Sequence, residues 1–398
     1  MANKKLRIAI LSDLHCHPEK PNFKDNNTYL FSAKLRSPIN EHPVEDLLDL
    51  INKKGMTVDL VLSPGDITDH CDKQGLFSGW SYVTEIARAL EAKRTIATIG
   101  NHDVDSRFTY SNYSFDVIKK VKQGFPIDKK FIGSFWDKGY TFIEDEDFQI
   151  LVLNSTHYHT HATTDNKIES PALKGKVDSS QLEEIEQYLQ INNFPDKIKI
   201  FLCHHHPIQH SRHQLGEHDF IENGEQLLNI LGQYKFDIAI HGHKHDPLLR
   251  YENTNSGHQI PILSSGSFSA TNQVLWCGIW NYFHVIEISK EDDFPATGKI
   301  ETFTFKPKSG WKNDTEDGFL PFTGFGFLGD LNSIQSKIQE KLLNRGVVNW
   351  SEILEIAPEI LNLTPDKMAA LENMLLSRNI NISSKIGVGP KHIYHATD

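Results

Sequence analysis

The sequence is poor in cysteine and in positive charge. Only four cysteines occur among 398 residues, and none forms a paired spacing, so neither a disulfide framework nor a cysteine-based zinc site is indicated. Lysine and arginine total 41 against 52 aspartates and glutamates, which gives a net charge of −11. This balance disfavours a protein that binds polyanions by nonspecific phosphate neutralisation.

Long apolar runs are also missing. The start of the chain, "MANKKLRIAILSD", contains an apolar run that is too short for the core of a signal peptide, and no stretch approaches the length of a membrane span. We therefore expect a cytoplasmic protein without membrane association. Histidine, by contrast, is abundant at 21 residues, and its clustering in short polar runs is a first indication of metal chemistry.

Short β-rich runs alternate with segments of helical period, which predicts an α/β fold. The predicted strands are 6–11, 58–63, 95–99, 148–154, 198–203, 236–240, 260–264, 282–289 and 299–305. The predicted helices are 44–54, 81–93, 179–190 and 223–234. Because no helix separates the last two strands, we expect an antiparallel section and a core built from two sheets.

The pattern changes after the Gly- and Phe-rich stretch 321–330, beyond which only helices are predicted: 331–346, 349–361 and 364–379. Thr364 as N-cap and Pro365 at the first helical position are a strong start signal for the last helix. We therefore predict two domains, 1–322 and 323–398, of which the second is small and all-helical.

Polar clusters follow five of the predicted strands. They are Asp13-Leu14-His15, Gly65-Asp66, Gly100-Asn101-His102-Asp103, His204-His205-His206-Pro207 and His241-Gly242-His243-Lys244-His245. Turn chemistry explains each cluster taken singly. Ligands collect at the carboxyl ends of strands in open α/β sheets, however, so we predict that the clusters converge. Carboxylate, amide and imidazole donors without thiolate suit Mn, Fe, Zn, Co or Ni.

These ordered motifs resemble those of the calcineurin-like metallophosphoesterase superfamily. The matching segments are "DLH" (13–15), "GD" (65–66), "GNHD" (100–103), "HHP" (205–207) and "GHKH" (242–245), and the resemblance runs from about residue 6 to about residue 305. The stretch 153–189 is similar to the phosphodiesterase branch of that superfamily. The resemblance implies a four-layer α-β-β-α sandwich of two mixed sheets flanked by helices.

The resemblance also implies two transition metal ions, Mn, Fe, Zn or Ni. It assigns seven metal ligands: Asp13, His15 and His245 for one ion, Asn101, His205 and His243 for the other, and Asp66 as the bridge. A hydroxide bridging the two ions would attack the phosphorus in line. One of these assignments, that of His205, leaves an alternative open.

The alternative concerns the run His204-His205-His206. His205 fits the His-x-Pro pattern, but a shift of one residue would favour His204. The histidines of this run that are not ligands, and His241, are expected to form hydrogen bonds behind the ligands. Asp69 and His70 either support the Asp66 bridge or belong to a surface turn.

The predicted catalytic residues are Asp66, His102 and Asp103. By the resemblance, His102 contacts the phosphate and either stabilises the transition state or protonates the leaving oxygen. Asp103 is expected to orient His102. In "HYHTH" (157–161), alternate histidines would share one side of an extended loop. A third metal site is one interpretation, and a polar loop in which His157 contacts the substrate is the favoured one.

The predicted function is hydrolysis of a phosphodiester, cyclic nucleotide-like or another small one. A DNA or RNA nuclease and a phosphomonoesterase of the same superfamily are the enzymatic alternatives, and the acidic net charge makes a nucleic-acid substrate the less favoured. An alternative of another class is a catalytically silent scaffold that acts through the helical tail. Amphipathic faces in 326–398 favour a homo-oligomer or a protein partner there.

Overall fold

The computed structural model describes most of the chain. Its described residues are 3–396 apart from 19–27, 33–35, 37–40, 107, 109, 111, 121–123, 160–173, 212–215, 217–218, 272–277, 314–318, 344 and 384–389. His161 of "HYHTH" and Cys277 therefore lie outside the described residues, whereas Cys16, Cys71 and Cys203 are buried free thiols. Among the described residues, no helix combines the length and the apolarity needed to cross a membrane.

Short strands alternate with helices through most of the chain. The strands are β1 (Asn3–Ile10), β2 (Leu60–Ser63), β3 (Arg94–Ala97), β4 (Tyr140–Glu144), β5 (Phe148–Leu153), β6 (Gly175–Lys176), β7 (Ile198–Leu202), β8 (Ile221–Glu222), β9 (Ile238–His241), β10 (Leu248–Asn253), β11 (Gln259–Ser264), β12 (Asn281–Glu291), β13 (Thr297–Lys306), β14 (Gly310–Lys312), β15 (Phe322–Phe325), β16 (Val347–Asn349), β17 (Ile380–Ile382) and β18 (His392–His395). The helices are α1 (Pro43–Lys54), α2 (Lys73–Ala89), α3 (Lys129–Lys138), α4 (Ser179–Ile191), α5 (Gly224–Gln233), α6 (Leu331–Leu342), α7 (Trp350–Ile356) and α8 (Pro365–Leu376). Short 3₁₀ helices cover Ile118–Lys120 and Pro358–Asn362.

Two large mixed sheets form the core, as the sequence predicts. The first has the order β14-β13-β12-β1-β2-β3, with β15 also paired to β13, and its strands β1, β2 and β3 run parallel. The second has the order β10-β11-β9-β7-β5-β4, with a parallel centre and antiparallel edge strands. The parallel centres place the carboxyl ends of their strands on one edge of each sheet, where functional side chains collect.

The residues of β7 show how the layers are built. Ile198, Ile200 and Leu202 face the core that the second sheet shares with the first, whereas Phe201 faces the opposite side, where α4 and α5 pack. This alternation with period two buries both faces of the strand. Helices α1 and α2 pack against the first sheet, so the predicted four-layer α-β-β-α architecture is confirmed.

A buried ion pair joins the two sheets at the end opposite the polar clusters. Lys290 of β12 donates from Nζ to Asp237 Oδ2 at 2.8 Å and Oδ1 at 3.1 Å, and both side chains are 1% exposed. Asp237 directly precedes β9, and its carboxylate also accepts the backbone N–H groups of Lys199 and Ala296. All partners of this carboxylate are thus donors, as a buried charge requires.

The C-terminal segment is not all-helical. Three helices, α6, α7 and α8, are joined by a small antiparallel sheet with the order β16-β18-β17, and a separate apolar core holds them together. The prediction of helices was right, but three strands of three or four residues were missed. Thr364 and Pro365 begin α8 as predicted, although the Thr364 hydroxyl makes no capping hydrogen bond. The boundary at 322/323 stays a prediction.

Helix α2 begins eight residues before its predicted start. Asp72 caps it by accepting the N–H of Gly75 at 2.7 Å. The segment "KQGLFSGW" contains two glycines, and both are needed because the helix lies against backbone. A Cβ at Gly75 would lie 2.2 Å from the Cys16 carbonyl oxygen, and one at Gly79 would lie 2.7 Å from the Ile67 carbonyl oxygen.

Candidate metal centre

The five polar clusters converge on one place, as the sequence predicts. Each follows a strand of the parallel centres: Asp13 and His15 follow β1, Asp66 follows β2, Asn101 and His102 follow β3, His204 follows β7, and His243 and His245 follow β9. The first three clusters come from the first sheet and the last two from the second. The site therefore lies where the carboxyl edges of the two sheets meet.

Asp13, His15 and His245 form one group of donors. His245 Nε2 lies 3.0 Å from His15 Nε2 and 3.3 Å from Asp13 Oδ1, and all three side chains are buried. The backbone N–H of His243 donates to Asp13 Oδ1 at 3.0 Å, and Ser12 Oγ donates to Asp13 Oδ2. Asp13 is thereby fixed with Oδ1 toward the histidines.

The second group contains His204 in place of the predicted His205. His204 Nε2 lies 3.0 Å from Asn101 Oδ1 and 3.3 Å from His243 Nδ1, and His243 Nδ1 lies 2.9 Å from Asn101 Oδ1. The Nδ1–H of His204 donates to the Pro64 carbonyl at 2.9 Å, which turns Nε2 toward the group. The choice of His205 is corrected, because strand β7 ends at Leu202 and brings the first histidine of the run to the site.

His205 turns away to a different partner. Its Nδ1 lies 2.8 Å from Ser155 Oγ, and within the described part of the chain its Nε2 makes no hydrogen bond. Burial lowers the pKa of this imidazole well below its usual value. His205 thus lies behind the site as a neutral side chain, which is the role that the sequence left to the other histidines of the run.

Asp66 lies between the two groups. Its Oδ2 is 3.5 Å from His15 Nε2 and 3.4 Å from His204 Nε2, and its Oδ1 accepts the backbone N–H of His102 at 2.8 Å. Burial works against the charge on Asp66, but His204 and His102 hold the pKa of this carboxyl well below its ordinary value. Burial also opposes a charge on His204, yet the Asp66 carboxylate raises the pKa of His204 to about 9.

Asp69, not Asp103, orients His102. His102 Nδ1 lies 2.8 Å from Asp69 Oδ1, whereas Asp103 accepts the backbone N–H groups of Thr68 at 3.0 Å and Gly100 at 2.9 Å. The prediction for Asp103 was wrong because its carboxylate folds back onto the strand ends. There burial, followed by repulsion from Asp66, raises the pKa of Asp103 to about 7. The sequence offered Asp69 only as a support for Asp66 or a surface-turn residue.

The part of "HYHTH" that the structure describes, residues 157–159, belongs to a turn and not to an extended strand. The backbone N–H of His157 donates to the Asn154 carbonyl, and the His157 ring packs against Gly139. His159 is buried, with Nδ1 2.8 Å from Ser106 Oγ and Nε2 2.8 Å from the Lys174 carbonyl oxygen. The two side chains therefore have different surroundings, which contradicts the shared face that alternation suggested. Contact between His157 and the substrate stays a prediction.

One partner of the site was missed in the sequence. Asp219 Oδ1 lies 3.1 Å from His243 Nε2 and 3.3 Å from Lys244 Nζ. A carboxylate on the far nitrogen of a ligating histidine fixes the ring and its tautomer. Asp219 stands in "GEHDF", outside every motif and distant in sequence from its partner, so the sequence contains no signal for it.

The backbone around the site adopts unusual conformations. Five of the predicted ligands have positive φ angles: Asp13 (52°), His15 (49°), Asp66 (53°), His243 (82°) and His245 (54°). Such left-handed residues cost about 1–3 kcal/mol each and cluster at functional sites. Gly242 permits the close approach of the two sheets, because a Cβ there would lie 2.3 Å from Asp13 Oδ2.

The donors fit a pair of transition metal ions. Both groups combine imidazole nitrogens with carboxylate or amide oxygens, and no cysteine is among these donors. Asp66 Oδ2 lies near a ring nitrogen of a histidine in each group, which is the position that a bridging ligand needs. Imidazole and carboxylate donors of this kind suit Mn, Fe, Zn or Ni.

The chain resembles a known protein family and solved structures. A family model described as calcineurin-like phosphoesterase matches residues 6–247, which include all five motifs, and one described as wHTH-Calcineurin_assc matches residues 323–377. A dimetal phosphatase structure from Danio rerio aligns at 12% identity with 76% of this chain and 99% of its own, with a TM-score of 0.49. A purple acid phosphatase structure from yellow lupin (Lupinus luteus) seeds aligns at 15% identity, covering 75% of this chain and 51% of its own, with a TM-score of 0.43. No curated protein matches the sequence.

Proposed function

Because this chain belongs to the calcineurin-like phosphoesterase family, we propose that it is a metal-dependent phosphoric ester hydrolase that cleaves a small phosphodiester. The observation that supports this proposal best is the position of Asp66. Its Oδ2 lies within 3.5 Å of a histidine nitrogen from each donor group, and each group combines residues that follow strands of both sheets. One carboxylate at that position can be shared by two cations and reduces their mutual repulsion.

Seven side chains would hold the two ions. Asp13, His15 and His245 would hold one ion, Asn101, His204 and His243 the other, and Asp66 both. When bound, such ions polarise phosphoryl oxygens and lower the pKa of water. Mn, Fe, Zn and Ni are the candidates that this donor set suits.

His102 is the residue that we propose to act on the substrate itself. Its Nδ1 is held by Asp69, so Nε2 is the ring nitrogen left for the substrate, and its side chain is 32% exposed. Burial opposes a charge on the ring, but the Asp66 carboxylate and the hydrogen bond to Asp69 raise the pKa of His102. A protonated Nε2 would stabilise negative charge on the phosphoryl group or give its proton to the leaving oxygen.

The preference for a diester rests on sequence. The motifs "GNHD" and "HHP" and the stretch 153–189 resemble the phosphodiesterase branch of the superfamily. The net charge of −11 works against a long polyanion as substrate. We therefore place a cyclic nucleotide or another small phosphodiester ahead of DNA, RNA and phosphomonoesters.

The test is a rate measurement on metal-stripped protein that is reloaded separately with Mn, Fe, Zn or Ni. The substrates are bis-p-nitrophenyl phosphate, p-nitrophenyl phosphate, cyclic mononucleotides, and single- and double-stranded DNA. We expect metal-dependent hydrolysis of the diesters, its loss in Asp66→Ala, and its retention in the control Asp49→Ala on helix α1. Preferred cleavage of the monoester or of DNA would replace the diester by that class. No turnover with any metal would favour the scaffold alternative.

For the C-terminal segment we propose a protein partner or a second copy of this chain. The helices and strands follow the order α6, β16, α7, α8, β17, β18, and helix α8 exposes Asp366, Ala369, Ala370 and Asn373. Lys367 is the one basic residue of α8, and it donates to the Phe327 carbonyl. A helix face without exposed lysine or arginine is poorly suited to phosphate contacts, which dominate affinity for nucleic acid.

A further inference from the structure

A second cluster of histidines lies behind the metal centre. His206 is two residues beyond His204, and His241 is two residues before His243; with His210 they form a group whose ring nitrogens all lie within 4.8 Å of one another. The three side chains are at most 1% exposed. From the sequence, His206 and His241 were expected only to form hydrogen bonds behind the ligands, and His210 was given no role. The proposed reaction uses none of the three.

We propose that His206, His210 and His241 form a separate site for a divalent transition metal ion such as Zn²⁺. His241 Nε2 lies 3.2 Å from His210 Nδ1. Two ligands of a tetrahedral zinc ion, each about 2.0–2.1 Å from the metal, lie about 3.3 Å apart. The pair therefore already has the separation that a shared ion requires.

The tautomer of His241 suits this role. Its Nδ1 lies 3.0 Å from the Gly242 carbonyl oxygen, which can only accept, so the ring proton is on Nδ1. This leaves a lone pair on Nε2, the nitrogen that faces His210. A hydrogen bond from the other ring nitrogen to a carbonyl is the usual way in which proteins orient a ligating histidine.

Hydrogen bonding alone does not account for the cluster. A bond between His210 and His241 would satisfy those two nitrogens, but within the described part of the chain both ring nitrogens of His206 and the Nε2 of His210 have no partner. A buried polar group left unpaired costs about 1–3 kcal/mol. A metal ion at the centre of the group would give His206 a partner, and its ring already lies 4.2 Å from that of His241, centroid to centroid.

The surroundings and the position of the cluster indicate what such an ion would do. The buried Asp246 and the exposed Arg250 both act electrostatically on His210, and their opposite charges oppose each other there. The His206 ring is 6.2 Å from that of His243, so the cluster is adjacent to the dinuclear centre without sharing a ligand. An ion bound here would connect the loop that follows β7, which carries His204, to the last residue of β9, two residues before His243.

Metal stoichiometry of the full chain tests the proposal. Chelator-stripped protein is equilibrated with Zn²⁺, dialysed and analysed for bound metal per chain. We expect His210→Ala to bind about one equivalent less than the wild type, the loss that one removed site produces. His206→Gln removes a different member of the same cluster and should show the same loss. His284→Gln is the control, because both nitrogens of that buried histidine already have partners.

Two further measurements distinguish this site from the dinuclear centre. The same comparison in the Asp66→Ala background should again show a difference of about one equivalent, so this site is tested even if the dinuclear centre does not load. With Co²⁺ as the probe, the visible absorption of a tetrahedral ion should be present in the wild type and absent in His210→Ala and His206→Gln. Equal stoichiometry and equal Co²⁺ spectra in the wild type and in folded cluster variants would overturn the proposal.

Discussion

At the scale of single residues, the site is organised by what holds the far nitrogen of three of its histidines. The Pro64 carbonyl holds His204, Asp219 holds His243, and Asp69 holds His102. Each contact selects which ring nitrogen faces the site. The chemistry of the centre therefore depends on residues that would never touch an ion or a substrate.

Asp69→Asn tests this dependence. We expect kcat on the diester substrate to fall about 10- to 100-fold, because an amide holds the His102 imidazolium less well than a carboxylate does. Steady-state kinetics on metal-loaded protein, with metal content measured in parallel, gives the kcat and KM values. His70→Ala is the control, since it removes another partner of Asp69 and leaves the His102 contact in place. A rate for Asp69→Asn equal to that of His70→Ala would contradict the proposed role.

His284 makes stability dependent on pH. Burial lowers the pKa of His284 to about 4, and its Nε2–H donates to the Ser265 carbonyl while its Nδ1 accepts from Thr302. Between about pH 6.5 and pH 4 the unfolded state then binds one more proton at this residue than the folded state does, so stability falls as the pH falls through that window.

We expect His284→Gln to lose this part of the pH dependence. The free energy of unfolding of the wild type, measured relative to that of the variant, should decrease by about 2–3 kcal/mol between pH 7 and pH 4.5. Urea unfolding of both proteins at the two pH values measures it. A difference that does not change with pH would show that the pKa of His284 is the same in the folded and unfolded states.

The sequence was sufficient to find the site but not to assign every residue in it. Asp13, His15, Asp66 and Asn101 were found because each directly follows a strand whose apolar run is visible. The choice between His204 and His205 depends on the residue at which β7 ends, and a run of three histidines hides that position.

At the scale of elements, the two sheets are aligned by the buried pair between Lys290 and Asp237. Removing one partner of such a pair leaves a buried charge without compensation. We expect Asp237→Asn to lower the free energy of unfolding by about 3–5 kcal/mol, measured by chemical denaturation. Asp49→Asn removes a solvent-exposed pair with Lys53 and should change stability little. Equal effects of the two substitutions would show that the buried pair adds nothing to stability.

Three helices with regular apolar stripes were predicted well, whereas helix α3 and the short strands of the C-terminal segment were not predicted. Helices α1, α4 and α5 lie within one or two residues of their predicted bounds because their apolar stripes are unbroken. Strands β16 and β17 have three residues each, fewer than a period of two needs to become visible. They form because the helices of the same segment pack against them, and the sequence of each strand by itself does not show that packing.

At the scale of the whole molecule, the metal centre connects the two sheets. Asp13, His15, Asp66 and Asn101 come from the first sheet, whereas His204, His243 and His245 come from the second. An ion bound by both sheets stabilises only the folded chain, in which they face each other. At a free metal concentration of 100 times Kd the gain is about 2.7 kcal/mol.

We therefore expect Zn²⁺ or Mn²⁺ to raise the Tm of the chelator-treated chain and excess chelator to reverse the shift. Differential scanning calorimetry across a metal titration gives the dependence. Asp66→Ala, which removes the proposed bridge, should show a smaller shift than the wild type at every concentration. If the two proteins shift equally, the ions bind elsewhere, and the cluster of His206, His210 and His241 is then the site to examine.

The ion pair between Lys290 and Asp237 has a mechanical consequence for the site at the opposite end of the sandwich. Asp237 and His241 are separated by the length of β9, about 13 Å at 3.3 Å per residue. If one sheet rotates about the ion pair by about one degree, the end of β9 at His241 moves by about 0.2 Å. A displacement of about 0.2 Å equals the tolerance of a metal–ligand distance. Because each donor group takes residues from both sheets, the angle between the sheets would set how far apart the donors within one group lie.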